Sequence, residues 1–155
     1  MAGTGVNLPS AGTLTTTQKA TLADLAEEKK PAQGVYLALT PSSRDARFTR
    51  ISSADEQYLS PLRFLMTRYK VTDPTAGKAV GAFSSADVAQ EYRDLVAQGK
   101  ASLAAALTVG QGIEKQDIAE FTAAAKDLKA ADLTAVYVYS RLTTASTHHL
   151  ATFGG

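Results

Sequence analysis

Apolar side chains return every third or fourth residue over four long stretches of the chain, and polar groups interrupt each stripe. That spacing is the signature of a helix with one face turned inward. From Thr15 to Leu39 the stripe is Leu22, Leu25, Lys29, Ala32, Tyr36 and Leu39, with Thr15, Thr16 or Thr17 placed to cap it. Pro31 predicts a kink inside this helix and Gly34 weakens it further. Thr40 to Arg47 reads as a loop. From about Phe48 to Tyr69 the stripe is Ile51, Asp55, Tyr58, Leu62, Leu65 or Met66, and Tyr69, with Pro61 within a turn of the polar pair.

Lys70 to Phe83, holding Asp73-Pro74 and Gly77, predicts a connection. A shorter helix runs from a Ser84 or Ser85 cap to Gln98, with Val88, Tyr92, Leu95 and Val96 as its apolar face. Gly99 is expected at its C′ position. Ser102 to Leu128 carries Leu103, Leu107, Gly110, Glu114, Asp117, Phe121 and Ala124 in phase. After a break at Lys129 to Asp132, Leu133 to Phe153 brings Tyr139, Leu142, Ser146, His149 and Phe153 onto one face. No stretch alternates with the period of a strand, and there is no repeat and no Gly-rich phosphate loop. The predicted fold is all-α, four long helices and one short one.

Composition narrows the functional classes. With 155 residues the chain has the length of a single domain with a real core. Sixteen basic against fifteen acidic residues, with no basic run carrying interleaved aromatics, argue against a nucleic-acid partner. No apolar run reaches membrane-spanning length. The absence of Cys excludes disulfides, thiolate metal sites and cysteine nucleophiles, and the two histidines are adjacent, His148 and His149. Met1 to Leu14 is rich in Gly, Ser and Thr without an apolar core, so it is not read as a signal peptide. It is expected to be a flexible segment ahead of one domain over residues 15–153. It would suit the start of a mature secreted or periplasmic chain carrying an added Met, with a cytoplasmic protein as the alternative. The sequence names no partner and is compatible with a homodimer.

The polar groups in the seams carry the candidate chemistry. Glu114 and Asp117 stand one turn apart where a bundle helix ordinarily places Leu or Ile, and buried charges need partners or a cation. Lys29, and Asp55 with Tyr58, interrupt the middle sections of two other seams, and Ser146 and His149 interrupt the last towards its end. Inward carboxylates and imidazole are how ferritin-like bundles hold two metal ions, because hard and borderline cations prefer such donors. Each residue also has a plainer reading. Glu114 and Asp117 could face solvent on a differently rotated helix, and Lys29 could snorkel along its methylene stem. Tyr58 could be a core tyrosine with its hydroxyl at the edge, and His148-His149 a frayed last turn. Pro31, Gly34, Pro61, Gly110 and Gly112 flank the polar layer. Tolerated kinks and close helix contact account for them, with a widened waist holding a small ligand as the functional alternative.

The order of segments resembles a ferritin-like bacterial family catalogued as a domain of unknown function, number 2202. The resemblance rests on Val35-Tyr36-Leu37-Ala38-Leu39, Asp55-Glu56-Gln57, Arg68-Tyr69 with Asp73-Pro74, and Val80-Gly81-Ala82-Phe83. It continues through Leu95-Val96-Ala97-Gln98-Gly99, Val109-Gly110 with Ile113-Glu114 and Asp117-Ile118, and His149-Leu150. It implies a ferritin-like four-helix bundle with one additional short helix. It also implies a Glu on the first helix, Glu-x-x-His on the second, Glu-x-x-Asp on the third and a His at the end. Glu114, Asp117 and His149 match that set. The second pair stands here as Asp55 and Tyr58, and the first acid falls on Lys29 by seam position, with Glu28 adjacent.

Two functions follow. The first is a degenerate carboxylate site without a cofactor, in which Lys29 replaces the cation and Tyr58 donates a hydrogen bond to a carboxylate, in a non-redox binding or structural protein. The alternative is an iron or manganese oxidase or metal store built on Asp55, Glu114, Asp117 and His149, with Glu28 completing the shell.

Overall fold

In the computed structural model of the chain, residues 13–128 and 132–155 are described, the side chains of 54–58 excepted. Among these residues the chain forms α1 (Thr16–Ser43), α2 (Ala46–Tyr69), α3 (Ala86–Gly99), α4 (Leu103–Asp127) and α5 (Leu133–Thr152), and no strand. Every start is set by a short polar side chain that accepts a hydrogen bond from an otherwise unpaired first-turn N–H. Thr15 and Gln18 cap each other's backbone in a capping box, and Asp45, Ser85, Ser102 and Asp132 serve the other four helices.

Helices α1 and α2 pack as one hairpin and α4 and α5 as a second. Cross-contacts fix their directions: Thr49 meets Thr40, and Gln111 donates to the Phe153 carbonyl at 2.7 Å. Gln18 donates to the Asp127 carbonyl at 3.2 Å, so α1 and α4 are also antiparallel. Helices α2 and α4 therefore point the same way, and the chain between them must travel the length of the bundle. Helix α3 lies in that crossover and rests on α1 and α4.

The core is two apolar clusters stacked along the bundle axis. One gathers Leu22, Leu25, Leu62, Leu65, Met66, Phe121, Tyr139 and Leu142, and Leu14 joins it from ahead of α1. The other gathers Val35, Tyr36, Leu39, Phe48, Ile51, Val109 and Phe153. Lys29, Glu114, Asp117, Ser146 and His149 are also buried. Along their helices these residues fall at the heights between the two clusters.

Several boundaries differ from the sequence expectation. Helix α1 runs through Pro31, as expected, but continues past Leu39 and through Pro41 to Ser43, and the expected loop over 40–47 shrinks to Arg44, with φ of 55°, and Asp45. Burial of Leu25 and Ala26 before Pro31, and of Ala32, Val35, Tyr36 and Leu39 after it, outweighs a proline cost of about 3 kcal/mol. Gly99 is not a left-handed C′ residue; it ends α3 inside the helix, where a Cβ would come within 2.6 Å of Leu39. The inward face of α4 is rotated at its start. Leu103 is 44% exposed, and Ala106 and Val109 take the seam instead. The flexible segment expected over Met1–Leu14 falls, apart from its last two residues, outside the described residues.

The crossover is pinned by a second lysine. Lys30 Nζ donates to the carbonyls of Ala79 and Ala82 and lies 4.8 Å from the centroid of the Phe83 ring. Arg63 on α2 holds Asp73 and Thr75 of the same connection, each at 3.0 Å.

Small residues let the helices close. The Phe153 ring packs on Tyr36 and Phe48, with centroids 5.4 and 5.1 Å away, and presses against Gly110. A Cβ at Gly110 would lie 2.8 Å from that ring, whereas one at Gly112 meets nothing within 4 Å. Gly110→Ala is therefore expected to lose about 1–3 kcal/mol to overpacking despite its better helix propensity. Gly112→Ala is expected to gain up to about 1 kcal/mol. Urea unfolding of the two variants checks the opposite signs.

Candidate functional site

The buried polar layer is built from three helices. Lys29 and Tyr36 stand two turns apart on α1, Glu114 and Asp117 one turn apart on α4, and His149 near the end of α5. Lys29 Nζ donates to Asp117 Oδ2 in an ion pair whose side chains are 2% and 10% exposed. Tyr36 Oη donates to Glu114 Oε1 at 2.7 Å, and His149 Nδ1 lies 3.3 Å from that same oxygen. The second carboxylate oxygen of Glu114 is buried and meets no hydrogen-bond donor among the described residues.

The two carboxyls are pushed in opposite directions. Burial raises Glu114, but the His149 imidazole, the Lys29 charge and the Tyr36 hydroxyl outweigh it, and the carboxyl sits below its ordinary value. Asp117 sits above its ordinary value, because burial and the Glu114 charge outweigh Lys29. The layer thus holds one charge firmly on Glu114 and a second, less firmly, against the ammonium.

Asp117 also connects this layer to the surface. With Glu28, Glu91, Gln116 and Glu120 it borders a cavity of about 30 Å³ between α1, α3 and α4, room for about one water. Glu28 faces this groove, not the interior. Partial burial, a hydrogen bond with Glu120, and the charges of Glu120, Glu91 and Asp24 push its carboxyl up to about 7.

The structure therefore brings Lys29, Glu114, Asp117 and His149 together and leaves Glu28 at the mouth. It resolves the Glu28 or Lys29 alternative in favour of Lys29 as the inward residue, 3% exposed and without snorkelling. His148 is exposed and His149 buried. Asp55 and Tyr58 belong to α2, but their side chains lie outside the described residues.

Sequence reading missed Tyr36 as a polar member of the layer. Its seam position seven residues after Lys29 was the available signal. Also missed was the pair between Arg68 and Asp132, 3.7 Å apart, joining the end of α2 to the cap of α5. Beside it, burial foremost pushes the Tyr69 hydroxyl up to about 12.

The profile of an uncharacterized protein domain, DUF2202, matches residues 18–154. An uncharacterized protein of Methanocaldococcus jannaschii is 29% identical over 136 residues, 88% of this chain and 72% of the relative. The crystal structure of that archaeal protein, described as hypothetical, superposes with a TM-score of 0.87 at 28% identity. It covers 95% of this chain and 82% of its own.

The raised Glu28 carboxyl has a consequence for stability. Folding lifts its value from 4.5 to about 7, so the folded chain favours the proton. Stability from this group is complete below the unfolded value, falls as pH rises from about 4.5 to 7, and is lost above. Glu28→Gln is expected to raise the thermal midpoint at pH 8, with the gain vanishing at pH 4 and shrinking in high salt. Thermal melts of both proteins across that range test it.

Proposed function

We propose that this chain, which belongs to the DUF2202 family, is a ferritin-like bundle whose carboxylate centre is neutralised from within by Lys29. On this reading it is a binding or structural protein without redox chemistry. The observation that carries the proposal is the buried contact of Lys29 Nζ with Asp117, an ammonium in the position a cation would take. The single long crossover between α2 and α4 supports the ferritin-like comparison, since bundles of that kind use one such connection.

The described residues do not fit a dinuclear metal site. Such a site draws on about six inward carboxylate and imidazole ligands. Here the described inward donors of that type are Glu114, Asp117 and His149, and one carboxylate already holds an ammonium. A divalent ion would meet Lys29 at close range in a poorly screened interior. No group of three His, Asp or Glu among the described residues is arranged to hold a metal ion.

A second reading is favoured by one atom. Glu114 Oε2 is buried without a donor among the described residues, so it is an unused acceptor for a water or a single ion. That reading keeps Asp55, Glu114, Asp117 and His149 as ligands for iron or manganese in an oxidase or metal store, without Glu28, which faces the surface groove.

Elemental analysis of protein purified without chelator separates the two. Substoichiometric metal is expected, and stoichiometric iron or manganese would remove Lys29 from the site. Lys29→Met is expected to cost about 3–5 kcal/mol by stranding Asp117, and the double variant Lys29→Met, Asp117→Leu to cost much less. If instead Lys29→Met is as stable as the parent, the ammonium is not what neutralises the centre.

A further inference from the structure

Two seams join the hairpins, and they are finished differently. Helix α3 covers the α1–α4 side, while α2 and α5 touch lightly and leave a groove of about 630 Å³. We propose that this groove binds a small amphipathic anion, a carboxylate carrying an apolar chain of medium length. The inference is independent of the buried polar layer, because the groove runs along the outer side of α5.

The trough is apolar. Pro61 on α2 and Val138, Leu142 and Ala145 on α5 line it, and Leu142 and Ala145 are buried. Its lip is aromatic and cationic. Tyr137 is 63% exposed, and the Arg141 guanidinium lies 5.9 Å from the Tyr137 ring centroid. Arg141 makes no ion pair with any described residue, and no described residue lining the groove is acidic. His148, two turns after Arg141, lines the same groove and is exposed. Its imidazole adds a second donor.

An apolar trough with a few donors at one edge is the usual form of a small-molecule site, and ligand pockets run from about 300 to 1,000 Å³. The groove follows α5 from residue 137 to 148, about 16 Å at the helical rise. An anionic head on Arg141 would gain a charge-assisted, bidentate contact that a neutral ligand forgoes. A second copy of the chain suits the groove less well, because a two-fold contact presents each copy with the same patch, Arg141 included.

The test is titration of the full chain with decanoate below its micellar concentration, by calorimetry and by ¹⁵N chemical shifts. Decyltrimethylammonium, decanol and acetate serve as matched probes. Saturable one-to-one decanoate binding that shifts amides along 137–148 is expected, with acetate inert and the cationic analogue excluded. Arg141→Glu should weaken decanoate about tenfold or more. Thr144→Phe, on the exposed rim, should block the groove while circular dichroism stays unchanged. The proposal is overturned by decyltrimethylammonium binding as well as decanoate, by affinity unchanged in both variants, or by no saturable binding. Sedimentation showing self-association that Thr144→Phe abolishes would likewise overturn it, by giving the groove to a second copy.

Discussion

A buried ammonium facing two carboxylates is the constraint around which this bundle is arranged. Taking three such groups out of water is costly, and mutual attraction repays the cost only when hydrogen bonds meet the remaining lone pairs. Lys29 answers Asp117, while Tyr36 and His149 attend Glu114. The pair Lys29–Asp117 joins one hairpin to the other across 88 residues of sequence. Apolar seams tolerate sliding by a turn, but a buried charge pair does not. We read the polar layer as the device that fixes how the two hairpins register, with the apolar clusters above and below supplying most of the stability.

Much of this was legible in the sequence. The helical period gave all five helices, since burial of one stripe is a local demand that tertiary packing then satisfies. Phase in α4 was readable from Gly110 to Ala124, where Glu114, Asp117 and Phe121 are all buried. It failed earlier, at Leu103, which is exposed, whereas Leu107 packs partly buried against the cluster that Ala106, Val109 and Phe153 share. Pro41, read as part of a loop, misled for a related reason. A proline's local cost is fixed, whereas the burial on either side of it depends on helices far away in sequence. The choice between Glu28 and Lys29 was also out of reach, since one residue of rotation separates them and only the partner on α4 decides.

The acids that missed the centre shape the outside. Glu28, Glu91, Glu120 and Asp24 face one another across the α1, α3 and α4 surface, and partial burial, a hydrogen bond with Glu120 and then the charges of these neighbours keep a proton on Glu28 near neutrality. Asp117 sits at the inner end of that groove, so the buried ion pair and the surface acids are electrostatically one system. Charge on the rim makes charge on Asp117 costlier, in agreement with the upward direction of its carboxyl. The opposite, α2–α5 side carries no such acid along its groove among the described residues.

The grip of Lys30 on the crossover sets it apart from the other charged contacts. Its acceptors are the carbonyls of Ala79 and Ala82 and the face of Phe83, none of which can take up a proton in acid. Acidification that neutralises Asp117, Asp73 and Asp132 disarms the pairs they make, yet leaves this clamp with both its charge and its acceptors. A chain losing its polar layer at low pH would still hold residues 79–83 against α1, so acid should loosen the two hairpins from each other before it frees the strap between them.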